Sequence, residues 1–464
     1  MLPFDTICAI ATPPGTGGVG IIRISGPESL DIGQALFRRS GDRALDPTLA
    51  EGTGRSLHVG RIVDPLSGET LDEVVMLVFR APHSYTTEDV VEIQCHAGPA
   101  VVQRLLVAVL AQGARLAAPG EFTKRAFLGG RIDLTRAEAI ADVTSARTER
   151  ALSTALGQLE GRLAQATAAL RDPIKLLLAE LEASIDFPDE IDPPGEERMA
   201  ETLSALITEA RRLLSTAEGG RLLREGATLA IVGRPNVGKS SLLNALLQAE
   251  RAIVTDVAGT TRDVLEAGLS VKGVPFRVLD TAGIREQGAD VVERLGIARS
   301  KEALSKADVR LVVLDARTGL GPDDFEILET ARAAGPTVVA LNKIDLQDLG
   351  AIPEIALPEG VSAKRISAAT GAGLADLEQA IYDLTLGAAL SPIASVAINA
   401  RHQSALARAG ESLERALESV DHRMPADFVA IDLRAAMEAL GEITGEDLKE
   451  EVIDHIFARF CVGK

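Results

Sequence analysis

The segment Gly233-Arg-Pro-Asn-Val-Gly238-Lys239-Ser240 joins an apolar run, TLAIVG, to a helix-forming run, SLLNALL. A glycine loop in that setting offers successive backbone N–H groups and a helix N-terminus to phosphate oxygens. The Lys239 ammonium reaches the terminal phosphates, and the Ser240 hydroxyl is a magnesium ligand. Asp280-Thr281-Ala282-Gly283 ends a later apolar run, which suits an acid near that magnesium and a glycine amide beside the γ-phosphate. Asn342-Lys343-Ile344-Asp345 ends another. The Asp345 carboxylate accepts from the two nitrogen donors of guanine's Watson–Crick edge, a pair that adenine lacks. Ser367-Ala368-Ala369 follows, where a backbone amide meets the guanine oxygen. Between the first two segments, Thr255-Asp256-Val257-Ala258-Gly259-Thr260-Thr261 forms a loop able to wrap over the nucleotide and bring a threonine to magnesium. This order points to GTP rather than ATP. The expected contacts are these segments together with Asn236, Val237, Gly238, Lys239, Ser240 and Ser241.

The residue after Asp280-Thr-Ala-Gly283 is Ile284, where Ras-like proteins carry a water-orienting glutamine. An aliphatic side chain cannot orient water. Glu293, in DVVERLGI, is the expected catalytic residue in its place, with Glu286 and Asp290 as weaker candidates. No arginine stands out as a finger. A monovalent cation could supply the positive charge against the phosphates, with Asn236 as one ligand and backbone oxygens of the 255–261 loop as others.

These residues need a scaffold, and the chain supplies three kinds in turn: α+β, all-α and α/β. Residues 1–120 read as strands (ICAIA, GIIRIS, DEVVMLVFR, EDVVEIQCH) with a helix over about 99–113. Residues 121–222 turn helical. Leu152, Leu156, Leu159, Leu163, Leu170 and Leu177 fall at helical spacing as one core stripe, and Pro173 should kink or divide the helix. A loop over 186–197 precedes a helix at roughly 198–218. Residues 223–384 alternate strand and helix, which implies a parallel sheet with the ligand at the strands' carboxyl ends. Residues 385–464 are helical again and are expected to complete one discontinuous bundle with 121–222, the α/β domain being inserted between them.

Composition excludes several classes. Lys plus Arg is 48 against 67 Asp plus Glu, a net charge of −19, so the surface is no basic nucleic-acid glove. The chain has 464 residues, 46% of them hydrophobic and 25% charged, which suits several folded domains and not wholesale disorder. With no Trp and 3% aromatics it offers few rings for stacking on bases. The 3 cysteines, Cys8, Cys95 and Cys461, are too scattered for a disulfide framework or a zinc cluster. No signal peptide or membrane span is expected, and a cytoplasmic location fits best. His96, in QCHAGP, reads as a hydrogen-bonded structural histidine.

Longer blocks are more specific: ATPPGTGGVGIIRISG at 11–26, PGEFTKRAFLGGRIDLTRAEAIADV at 119–143, IDFPDE at 185–190, LLREGATLAIVGRPNVGKSSLLNAL at 222–246, IVTDVAGTTRDV at 253–264, LGEITGEDL at 440–448 and the terminal Cys461-Val-Gly463-Lys464. From end to end the chain resembles the bacterial tRNA modification GTPase family MnmE, also called TrmE. The resemblance implies a potassium-activated GTPase whose G domains dimerise across the nucleotides. With an FAD-binding partner, MnmG, it installs a (carboxymethyl)aminomethyl group at carbon 5 of the wobble uridine of certain tRNAs. It implies a folate-binding-like N-terminal domain that also mediates homodimerisation, and a 5-formyl- or 5,10-methylene-tetrahydrofolate as one-carbon source. The family's potassium ligands match Asn236, Thr255, Val257 and Thr260; its magnesium ligands match Ser240 and Thr261; its catalytic glutamate matches Glu293. Its folate contacts match Arg23, Glu92, Arg131 and Lys464, with Arg131 standing where some members carry Lys. Cys461 matches a cysteine the family uses. The partner complex is expected to be a heterotetramer or larger, with MnmG contributing much of the tRNA binding to so acidic a chain. The GTP-binding segments alone would equally fit a ribosome-associated GTPase switch; the N-terminal block and the CxGK tail argue against that alternative.

Overall fold

A computed structural model of the chain describes residues 5–39, 54–65, 67–250, 269–279, 302–318, 320–346, 357–386, 396–446 and 448–463. They form two compact units, Met1–Ala141 with Gly441–Lys464, and Asp142–Leu440. Among the described residues no helix is long and apolar enough to cross a membrane.

The first unit is built on a sheet of strands β1 (Ile7–Ile10), β2 (Gly17–Ser25), β3 (Phe37–Arg39), β4 (Arg55–Val63), β5 (Thr70–Phe79), β6 (Val90–Ala97) and β7 (Arg115–Leu116). Their order is β3-β4-β5-β6-β2-β1-β7, antiparallel throughout except for β1 and β7. Alternation along the strands sends Ile22, Ile24, Met76, Val78, Val91 and Ile93 to one face, where they pack with Ile32, Leu36, Val102 and Leu105 of two helices, Ser29–Leu36 and Pro99–Ala111. Each such fully buried side chain contributes about 1.5–3 kcal/mol. The same alternation turns Arg23 and Glu92 away from that core, and the β2–β6 register sets them opposite each other. The sequence pattern had not marked β4 or the first helix.

Past residue 120 the unit continues through the helix Glu121–Leu128, whose Phe122 is buried against Ile7, Ala9 and Ala117. The helices Leu134–Ser145 and Glu450–Phe457 meet through Leu134, Ala137, Ile453 and Phe457. The C-terminal tail returns to the sheet. Gly120 N donates to the Cys461 carbonyl at 3.3 Å. Gly463 sits at φ +92, where an added Cβ would lie 2.3 Å from the Ile10 carbonyl oxygen.

The second unit combines helices with a sheet. Outside the sheet's own connections the helices are Glu149–Leu159, Arg162–Asp186, Glu196–Leu214, Ala217–Glu225 and Ala400–Asp421, with most of Ala426–Thr444; Lys239–Glu250, Pro322–Ala334 and Leu374–Leu386 pack with the sheet. Pro173 does not divide Arg162–Asp186; Leu170, Ile174 and Leu177 are buried on either side of it and hold the helix in one piece. The expected leucine stripe starts later than its spacing implied. Leu152 and Leu156 are 38% and 43% exposed, because Gly161 takes a left-handed conformation (φ 92) between the two helices and resets the phase. Leu163, Leu170 and Leu177 are core.

The sheet orders β13 (Ser362–Arg365), β12 (Thr337–Asn342), β11 (Val309–Asp315), β8 (Ala227–Val232), β10 (Val274–Leu279) and β9 (Leu269–Val271). It is parallel except at one edge, where β9 and β10 make an antiparallel hairpin through Lys272 and Gly273, both at positive φ. The four strands expected from the sequence, β8, β10, β11 and β12, are mutually parallel, and β9 adds the antiparallel edge. Both faces of β11 and β12 are covered, which explains their unbroken apolar runs. The chain leaves β8 toward β10 in one direction and β11 in the other, so the carboxyl end of β8 is the switch point where such folds bind ligands.

Replacing Gly463 with Ala is expected to weaken tail docking by about 1–3 kcal/mol through strain at positive φ and the clash with Ile10. Faster release of the C-terminal residues by carboxypeptidase than in the unmodified chain is the predicted readout; equal release would contradict it.

Candidate functional site

Strand β8 ends at Val232 and the helix Lys239–Glu250 begins seven residues on, so the intervening loop lies at the switch point. Two glycines are required there. A Cβ on Gly233 (φ 150) would lie 2.3 Å from the Val313 carbonyl oxygen, and one on Gly238 (φ 99) would lie 2.3 Å from Asn342 Nδ2. Asn236 also takes a left-handed conformation, φ 66, which asparagine tolerates better than most residues. Val237 is buried and anchors the loop. Lys239 Nζ donates to the carbonyls of Gly233 and Arg234 at 2.6 and 2.9 Å, which holds the ammonium against the loop. Burial lowers its pKa below the ordinary lysine value.

The base-recognition segments close on the same loop. Asn342, only 2% exposed, donates from Nδ2 to the Val237 carbonyl at 2.9 Å and accepts at Oδ1 from Ala368 N at 3.0 Å. One amide thus joins the phosphate loop to the Ser367-Ala368-Ala369 turn. Ser367 is fully buried and shapes that turn, its Oγ accepting from Thr370 N at 3.1 Å. Lys343, at φ 70, donates from Nζ to the Asn236 carbonyl at 2.6 Å and to Asp315 Oδ2 at 2.8 Å. Asp345 opens to solvent in the short helical turn Ile344–Leu346. A loop of backbone donors, a cationic side chain and an exposed acid beyond them are what a guanine nucleotide requires.

The structure therefore brings together Asn236 through Ser241, Asn342, Lys343, Asp345 and Ser367 through Ala369. The expected contacts at Thr255 through Thr261 and at Asp280 through Gly283, and the catalytic candidate Glu293, lie outside the described residues. Sequence reasoning missed Asp315, whose signal was an acid closing the apolar run RLVVLD.

A second constellation occupies the face of the first unit's sheet opposite its helices. Arg23 Nε donates to Glu92 Oε1 at 2.7 Å, and Arg23 Nη1 to the Gly463 carbonyl at 3.3 Å. The Arg23 guanidinium lies 5.2 Å from the Tyr85 ring and 5.6 Å from Phe122, and Arg131 lies 5.0 Å from the same tyrosine ring. Arg131 Nη1 donates to the Ser84 carbonyl at 3.1 Å, and the Tyr85 hydroxyl pairs with Thr123 at 2.9 Å. Arg23 and Arg131, far apart in sequence, thus flank one ring, with Glu92 and the last described residue, Gly463, bonded to Arg23. Lys464 lies outside the described residues. Tyr85 carried no sequence signal because it sits in an irregular loop. Two guanidiniums and one carboxylate around an aromatic ring favour a planar ligand with a negative tail.

His96 is held by Asp72, which accepts from both its ring nitrogen and its backbone N at 2.8 Å, in keeping with a structural role. Burial pushes the thiols of Cys8 and Cys95 up to about 11, which leaves them poor nucleophiles; Cys461 is exposed. Among the described residues no group of three or more His, Cys, Asp or Glu side chains is arranged to hold a metal ion.

Residues 6–131 match the family model described as GTP-binding protein TrmE N-terminus, and residues 134–461 the one described as MnmE helical domain. The chain is 46% identical to the tRNA modification GTPase MnmE of Geobacillus thermodenitrificans, with 100% of each chain covered. It is 47% identical to that of Carboxydothermus hydrogenoformans, with 99% of each covered. Among solved structures it is similar to Era bound to MgGDPNP and a stretch of 16S ribosomal RNA, at 35% identity over 34% of this chain and 56% of that one, with a TM-score of 0.25. Two family models that together span the chain, and relatives of this identity along its whole length, establish that the chain belongs to the tRNA modification GTPase MnmE family.

Proposed function

We propose that this GTPase is a potassium-activated engine of wobble-uridine modification. With an FAD-dependent partner of the MnmG type, it installs the (carboxymethyl)aminomethyl group at carbon 5 using a tetrahydrofolate one-carbon unit. The observation that carries the reading is the pairing, in one chain, of a guanine-nucleotide clamp with an Arg23–Glu92–Tyr85–Arg131 cluster beside the C-terminal tail. The helical segments 121–222 and 385–464 are read as one domain interrupted by the GTPase module 223–384; a single helical family model running over 134–461 supports this.

The nucleotide site fits magnesium GTP. Gly233 and Gly238 stand where any side chain would fill the cradle. Ser240 and Thr261 would hold magnesium, and Lys239 would meet the β- and γ-phosphates. Asn236 fits a monovalent cation: it is exposed in the phosphate loop, and the Lys343–Asn236 bond fixes its left-handed backbone. Thr255, Val257 and Thr260 would complete the ligand set. Bound potassium supplies positive charge where another GTPase uses an arginine finger. Glu293 orients the attacking water, the task Ile284 cannot perform. Homodimerisation through the N-terminal domain and closure of paired G domains across the nucleotides accompany turnover in this reading.

The side-chain cluster of the first unit fits a folate. Arg23 and Arg131 would pair with the negative glutamate tail, Lys464 would add a third cation, and Tyr85 offers a ring to stack against. Glu92 accepts from Arg23 and sets its direction. Cys461, exposed on the docked tail, matches a cysteine the family uses.

Two outcomes are expected. GTP turnover should rise about tenfold or more in potassium over sodium at equal ionic strength, as expected for one preorganised charge at the phosphates. Asn236→Ala should lose that stimulation, and Glu293→Ala should nearly abolish turnover while retaining GDP binding. Equal rates in both salts would refute the cation reading. In calorimetric titration with 5-formyltetrahydrofolate, Arg131→Ala should weaken binding about tenfold, and Arg131→Lys should recover part of it. Unchanged affinity in Arg131→Ala would remove the folate assignment without touching the GTPase.

A further inference from the structure

Asp315 closes β11, a strand buried along its whole length, and its side chain is 9% exposed. None of the phosphate- or base-binding segments contains it. Parallel pairing places it beside Asn342 at the end of β12. Its Oδ2 accepts from Lys343 Nζ at 2.8 Å and from Arg317 Nη2 at 2.7 Å. Its Oδ1 accepts from Arg317 N and Nε, both at 3.0 Å. The carboxylate is therefore fixed from one side by a bidentate arginine and presents its remaining capacity to Lys343. The Arg317 hydrogen bonds, and then Lys343, hold its carboxyl well below the usual carboxylate range, so it stays charged.

Lys343 does two things from one ammonium. It ties to Asp315, and it pins the Asn236 carbonyl of the phosphate loop at 2.6 Å. Its stem passes the loop on the way, Cε lying 3.9 Å from where a Cβ on Gly238 would stand. A lysine stem has many rotamers, and ordering it at the moment of binding would weaken affinity. We propose that Asp315 is a positioning residue for guanine-nucleotide binding: it holds Lys343 in place before the nucleotide arrives, and through Lys343 it fixes the Asn236 turn of the phosphate loop. It touches neither nucleotide nor reacting atoms. Its influence falls first on affinity, through the phosphate loop, and reaches turnover where the Asn236 turn serves the proposed cation.

The test uses the full-length chain, titrated with N-methylanthraniloyl-GDP and assayed for GTP turnover. Asp315→Asn is nearly isosteric and removes the charge. It should raise the Kd for GDP about tenfold, and KM should rise with it. Because Asp315 acts through Lys343, the double variant Asp315→Asn/Lys343→Ala should bind GDP no more weakly than Lys343→Ala alone. An unchanged Kd in Asp315→Asn, a fall in kcat without a rise in KM, or full additivity in the double variant would each overturn the proposal. Should Asp315→Asn fail to fold, Arg317→Ala decides. It removes the brace from the carboxylate at a half-exposed position, and a Kd raised about threefold supports the proposal, while an unchanged Kd overturns it.

Discussion

The nucleotide site rests on a single buried amide. The Asn342 side chain is both donor and acceptor, and it spends one function on the phosphate loop and the other on the turn that follows β13. Those two loops come from strands that are not neighbours, β8 and β13, with β11 and β12 between them. No backbone hydrogen bond of the sheet ladder can join them at that distance. A side chain at the end of β12 can, and a buried amide left without either partner would be penalised by about 1–3 kcal/mol. The demand runs in both directions: Gly238 has no side chain because Asn342 occupies the space one would need. Phosphate recognition and base recognition are thus parts of one hydrogen-bonded unit.

The other constellation obeys a different constraint, the period of two along a strand. Ile22 and Ile24 must face the helices, so Arg23 must face away; Val91 and Ile93 impose the same on Glu92. The hydrophobic core of the first unit therefore delivers an arginine and a glutamate as neighbours on the opposite face without any special device. The loop bearing Tyr85 and the turn bearing Arg131 complete what the sheet begins. The C-terminal tail reaches this place because Gly463 alone among ordinary residues can adopt its backbone angle against Ile10.

Legibility followed the range of the interactions. The phosphate loop was plain in the sequence because its chemistry is local: glycines, a lysine and a helix start within eight residues. Strands β8, β11 and β12 were plain because burial on both faces leaves an apolar run. Strand β4 was not, since RSLHVGRIV mixes charge with apolar residues and is held by pairing to β5 rather than by its own pattern. Leu152 and Leu156 misled because spacing alone does not reveal a phase reset at Gly161. The role of Asp315 was hidden for a topological reason, although its place at the end of an apolar run was visible. Its partner Lys343 lies 28 residues away and meets it only once β11 and β12 pair in register.

The most direct test of the Asn342 unit is hydrogen exchange at the phosphate loop in nucleotide-free protein, comparing Asn342→Ala with the unmodified chain. Without a nucleotide present, any change reports the tie between loops and not a lost contact to the base. Faster exchange is predicted both in the peptide spanning Gly233–Ser240 and at Ala368, with β11 and β12 unaffected. If protection at the phosphate loop stays the same, the loops are held independently and the account of one shared hydrogen-bonded unit is wrong.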